Sequence, residues 1–118
     1  MSINTIGVLR IKDGTDISNP SPGGFRILSA LDQVVQSWMR DATLTSGRDG
    51  EHSGWFDPHH SGNAYDVRSQ DFNQVDKTQF LNDVMKILGY DRFYGFLESP
   101  ETSNEHFHFQ VKKGTTYP

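Results

Sequence analysis

The chain contains no cysteine. That excludes a disulfide scaffold and any thiolate-ligated metal, so a metal held here must use imidazole and carboxylate ligands. Long apolar runs are also missing. Hydrophobic residues make up 34% of 118 residues, and no stretch approaches the roughly 20 apolar residues that span a bilayer. Positive charge is scarce: 11 Lys and Arg stand against 15 Asp and Glu, a net charge of -4. The basic residues are scattered, which argues against a nucleic-acid partner. Met1-Ser2-Ile3-Asn4 lacks a basic region followed by an apolar stretch, so no secretory signal is expected and the chain is expected to start in a cytoplasm. The length suits one domain with its own core, and a monomer is expected.

Hydrophobic spacing gives the elements. Thr5 to Lys12 reads as an opening strand or arm, and Asp13 to Gly24 as a loop rich in Gly, Asn, Ser and Pro. From Phe25 to Ala42, Ile27, Leu28, Leu31, Val34, Val35 and Trp38 recur at helical spacing, with Gly23-Gly24 at the start. Leu44 to Arg48 reads as a short strand or turn. A second helix is expected over Asp76 to Leu88, with Phe80, Leu81, Val84 and Leu88 on its face and Gly89 as its stop. Tyr90 to Leu97 is strand-like, Glu98 to Asn104 a polar loop with solvated charges at Glu98 and Glu101, and His106 to Lys112 a strand. The tail from Gly114 to Pro118 reads as frayed. The expected fold is α+β: a small, mainly antiparallel sheet, helices on one face, and a site on the other. Residues 1–118 form one domain, with 1–24 as an arm and 25–112 as the core.

Two polar segments carry the chemistry. The first is His59-His60-Ser61-Gly62-Asn63-Ala64-Tyr65-Asp66, the second Glu105-His106-Phe107-His108. On strands, Ala64, Asp66 and Arg68 share one face, and so do His106, His108 and Gln110. Tyr65, Val67, Phe107, Phe109 and Val111 point the other way. His59 has the wrong parity to continue the strand of Asp66, but Ser61-Gly62-Asn63 can turn it back, since Gly tolerates positive φ. His59, Asp66 and His108 then form three protein ligands with an open position for water, as catalytic zinc requires. Hydrolysis also needs a base within hydrogen-bond reach. Glu105 and His106 are both candidates: strand parity favours His106, while a bulge would turn Glu105 inward. Arg48 can hold a substrate carboxylate or a developing oxyanion. Arg68 and Gln110 share the polar face and can orient ligands. Trp55 and Phe56 can line a substrate groove, and Trp38, Phe80, Phe107 and Phe109 belong in the core.

The pattern His59-x-x-Gly62-x-Ala64-x-Asp66 followed by Glu105-x-x-His108 resembles the zinc D-Ala-D-Ala carboxypeptidase and L-alanyl-D-glutamate endopeptidase family. These are peptidoglycan-cleaving enzymes, common as phage endolysins; the hedgehog signalling domain has a similar site. Ser46-Gly47-Arg48 looks like the family's Ser-Gly-x-Arg stretch, shortened by one residue, and Asp57 stands where the family often has Ser. The resemblance spans about Phe25 to Lys112. It implies zinc on His59, Asp66 and His108, Glu105 as base, Arg48 as clamp, and peptidoglycan stem peptides as substrate, cut at the cell wall after release. Two alternatives remain. One is a zinc-binding module without turnover; the other is a carboxypeptidase or dipeptidase acting on D-Ala-D-Ala ends.

Overall fold

Ser21 and Pro22 set the start of the first helix. The Ser21 side chain accepts the Gly24 N–H at 2.9 Å, and Pro22 occupies the first turn, where its missing N–H costs nothing. The computed structural model describes residues 7–48 and 62–113. Its elements are β1 (Leu9–Ile11), α1 (Pro22–Trp38), β2 (Ala42–Ser46), β3 (Ala64–Arg68), α2 (Gln74–Leu88), β4 (Phe93–Glu98) and β5 (His106–Val111). The two helices pack against a five-stranded mixed sheet of order β1-β2-β3-β5-β4, an α+β fold. Only β1 and β2 run parallel; the other three pairings are antiparallel. No helix among the described residues is long and apolar enough to cross a membrane.

Helix α1 therefore begins before Phe25, because the Ser-Pro cap outranks the glycine pair, which falls inside the first turn. It ends at Trp38 rather than Ala42. Met39 turns left-handed at φ 52, and its N–H returns to the Gln36 carbonyl at 3.1 Å. Helix α2 starts slightly earlier than its apolar face suggests, because the Asn73 side chain caps it at the Asp76 N–H. Gly89 closes it, as expected. Of the two alternatives for Thr5 to Lys12, a strand is what forms: β1 pairs with β2 from Leu9↔Ala42 to Ile11↔Leu44. The Asp41 carboxylate clamps this edge, accepting from the Val8 N–H and from Arg10 Nε, each at 2.9 Å.

Burying an apolar stripe from each helix against the central strands makes one core. Ile27, Leu31, Val34 and Val35 of α1 and Phe80, Val84 and Met85 of α2 join Tyr65, Val67, Phe107 and Phe109. Phe72, Phe80 and Phe107 pack with ring centroids 5.0 to 5.3 Å apart. Trp38 stands edge-on to Phe80 at 5.7 Å, and its indole N–H donates to Asp83 at 2.8 Å, tying the end of α1 to α2. The core takes the odd residues of β3 and β5. Apart from Ala64, their even residues form a separate polar set.

A backbone crossing fixes the start of β3. Gly62 sits at φ 72 and passes directly over the first turn of α1. Its carbonyl accepts from the Ser21 N–H at 3.2 Å and from the Ser21 hydroxyl at 3.1 Å. A Cβ on Gly24 would lie 1.9 Å from that same oxygen, so the two chains approach as closely as they do only because Gly24 has no side chain. Gly24→Ala is expected to lower the unfolding free energy by about 2 kcal/mol, within the range for overpacking. Urea denaturation monitored by tryptophan fluorescence measures it, and an unchanged midpoint would refute the crossing.

Candidate metal centre

The antiparallel register of β3, β5 and β4 assembles the polar set. Asp66 lies directly opposite His108, and Arg68 opposite His106. On the far side of β5, Phe96 lies opposite His108 and Glu98 opposite His106. Side chains paired across antiparallel strands have Cβ atoms about 5 Å apart. The pairing therefore makes Asp66, Glu98, His106 and His108 neighbours, each offering a ligand atom within 4.8 Å of the others. Asp66 and His108 are buried, at 4% and 7% exposure. The Phe96 ring covers His108 at a centroid distance of 5.1 Å.

The hydrogen bonds of the two imidazoles share one logic. His108 Nε2 lies 2.7 Å from Gln110 Oε1, and His106 Nδ1 lies 2.6 Å from the Asn104 carbonyl. A neutral oxygen acceptor fixes each of these nitrogens as an N–H, which leaves the other nitrogen with a lone pair. Those second nitrogens face carboxylates. His108 Nδ1 is 2.8 Å from Asp66 Oδ1; His106 Nε2 is 2.6 Å from Glu98 Oε1 and 3.5 Å from Asp66 Oδ2. A lone pair facing an anionic oxygen is repulsive unless a proton or a cation lies between them. Metal-ligating histidines show this pattern, with the outer N–H held by a protein acceptor and the inner nitrogen turned to the ion. Two imidazoles and two carboxylates also supply the charge and donor type that a divalent ion takes. The residues thus fit a metal ion.

Without a metal, the same edge favours a proton on His108. Burial alone would push the His108 imidazole down. The hydrogen bonds to Asp66 and Gln110, with the charges of Asp66 and Glu98, outweigh it and hold the imidazole above its ordinary value.

Glu98 is the residue that sequence reading placed wrongly. It is the last residue of β4 rather than a solvated loop charge, and it carries on the alternation of Tyr94 and Phe96. That alternation was the available signal. Glu105, one of the two candidate bases, is placed elsewhere. Its carboxylate is 4% exposed and accepts from Ser69 Oγ at 2.7 Å, Lys77 Nζ at 2.6 Å and the Glu101 N–H at 2.8 Å. Those donors, led by the Glu101 N–H, lower it to about 2, which makes it a poor proton acceptor. Arg48 follows Ser46, the register partner of Asp66. Its N–H donates to the Asp16 carbonyl at 2.7 Å, and its guanidinium reaches the Asn19 carbonyl only at 3.5 Å. His59 and His60, with Trp55, Phe56 and Asp57, lie outside the described residues, as does the 114–118 tail.

No protein-family model, curated protein or solved structure matches this chain. The metal centre therefore rests on its own geometry.

Glu105 is buried and its folded value is depressed, so it contributes stability above its ordinary 4.5, and that contribution disappears as pH falls toward about 2. The shift corresponds to about 3 kcal/mol. Glu105→Gln should remove roughly that much at neutral pH and flatten the acid limb of the stability profile. Chemical denaturation from pH 7 to pH 2 checks it. A variant as stable as the parent would return Glu105 to the list of free bases.

Proposed function

We propose that this protein is a zinc-dependent peptidase that hydrolyses an amide bond in peptidoglycan stem peptides, acting at the cell wall after release. The observation that carries the reading is the Asp66–His108 pair, at 2.8 Å, beside a second imidazole that shares its face. Asp66 and His108 hold the ion, with His59 as the third ligand on the resemblance described above. Zinc, when bound, supplies a Lewis acid that polarises the amide carbonyl and acidifies a water.

The protein's own groups do the remaining work. His106 is the base. The Asn104 carbonyl holds its Nδ1 proton, which leaves Nε2 to take a proton from the attacking water. Glu98, whose Oε1 lies 2.6 Å from the same Nε2, stabilises the imidazolium that forms and shares the captured proton until it passes to the leaving amine, while the Asn104 carbonyl on Nδ1 orients the ring. Gln110 fixes the tautomer of His108. Arg48, two residues beyond the strand partner of Asp66, steadies the oxyanion or a substrate carboxylate.

Elemental mass spectrometry of the purified protein should find about one zinc per chain, lost in Asp66→Asn and in His108→Ala. His106→Ala should keep the metal while lowering kcat by about 10²-fold or more, the usual worth of a positioned base. Mass spectrometry of muropeptide digests reads the cleavage: new internal amine termini are expected, and loss of one terminal residue would instead indicate a carboxypeptidase. Zinc retained in full by both ligand variants would sink the assignment. Binding without any cleavage of several wall chemotypes would leave a metal-binding module.

Acidification should release the ion as protons compete with it for its ligands. Metal retention measured by dialysis from pH 7.5 to 4.5 should fall steeply, and just as steeply in His106→Ala, since that imidazole is not itself a ligand.

A further inference from the structure

Next to the metal centre lies a groove of about 480 Å³ whose lining includes Lys12, Thr45, Arg68, Asn104, Glu105 and His106. His106 belongs to both features. Two of the lining residues are cations, in a chain of net charge -4. Arg10, Arg40 and Lys77 by contrast are engaged with Asp41, Asp76 and Glu105. Lys12 and Arg68 are exposed, and among the described residues neither makes an ion pair. The one carboxylate in the lining, Glu105, is 4% exposed and turned toward Lys77 and Ser69, so it does not cancel them.

The sheet sets the spacing. Arg68 is directly opposite His106 on the neighbouring strand. Lys12 follows Ile11 at the end of β1, beyond β2. Strands lie about 4.8 Å apart, which places Arg68 about 5 Å and Lys12 about 14 Å from the strand of His106. An extended peptide advances about 3.3 Å per residue. A chain lying across the strands from the metal centre would meet Arg68 after one or two residues and Lys12 after about four.

We propose that this groove binds the carboxylates of an acidic peptide, with Arg68 taking the one nearest the cut bond and Lys12 a second one farther along. The assignment rests on the peptidase reading for where the bond is cut. Arg68 can grip a carboxylate with two parallel N–H donors, whereas Lys12 acts as a point charge. The protein would accordingly distinguish stem peptides with free side carboxylates from those in which the same groups are amidated.

The test compares two synthetic probes, the tetrapeptide L-Ala-γ-D-Glu-diaminopimelate-D-Ala and its form amidated on the D-Glu and diaminopimelate side carboxylates. Zinc-loaded protein and the Lys12→Gln/Arg68→Gln double variant are titrated by calorimetry and assayed for new amine termini. The acidic probe should bind about tenfold more tightly, as two exposed ion pairs allow. The gap should close in the double variant and shrink as salt is raised. Equal affinities, no measurable binding of either probe, or a gap that survives in the double variant would overturn the groove. A gap that closes as expected, with neither probe cleaved, supports the groove while removing the peptidase reading. Cleavage without a gap does the reverse.

Discussion

The pairing of β3 with β5 is the constraint from which the rest follows. These strands run from Ala64↔Gln110 to Arg68↔His106 without a slip. Tyr65, Val67, Phe107 and Phe109 are thereby committed to the core, and Asp66, His106 and His108 to each other. A shift of one residue would exchange the two sets, burying charge among the phenylalanines and exposing the aromatic rings. The hydrophobic core and the candidate metal site are alternate faces of one register. Core packing therefore enforces site geometry to within a residue, and no separate device is needed to bring Asp66 to His108.

The approach to β5 is held differently. Glu105 stands at the end of the loop leading into it, and its buried carboxylate accepts from Ser69 beyond β3, from Lys77 on α2 and from the Glu101 N–H within the loop. Gln70 adds a bond to the Glu105 carbonyl at 2.7 Å. Ser99 and Glu101 both adopt positive φ, at 51° and 63°, conformations that non-glycine residues keep only when their surroundings fix them. An ion pair at 2.6 Å with three donors on one carboxylate is such a surrounding. The anion that the family resemblance would make the base is instead used to set where His106 begins.

Much of this was legible in the residues. The strand of Asp66, the strand of His106 and His108, and both helices follow from periods of two and of three to four. Alternation alone placed the two histidines and Gln110 on one face. The errors have local causes. A Ser-Pro cap hid the true start of α1 behind a pair of glycines that ordinarily mark a boundary. A three-residue strand, Leu9–Ile11, is too short to show a period and joins the sheet through a parallel pairing that no local signal encodes. Glu98 looked like a loop charge because Ser99-Pro100 follows it, and its value comes only from lying opposite His106. The duty of Glu105 depends on Ser69 and Lys77, which are distant in sequence and brought close by the helix-on-sheet packing.

One hydroxyl joins two parts of the molecule that otherwise share no chemistry. Ser21 caps α1, and the same hydroxyl lies within hydrogen-bond reach of both the Gly62 carbonyl and the Asn63 side chain at the threshold of β3. Helix ends are where native proteins first open. Fraying of the first turn of α1 would release Gly62 and Asn63 together, and with them the approach to Asp66. The Asp66–His108 pairing itself would stay intact, but the chain leading into it would loosen each time the helix terminus opened. Trimming the chain to start at Phe25, as if an arm were being removed, would delete the Ser21 hydroxyl that holds the threshold of β3.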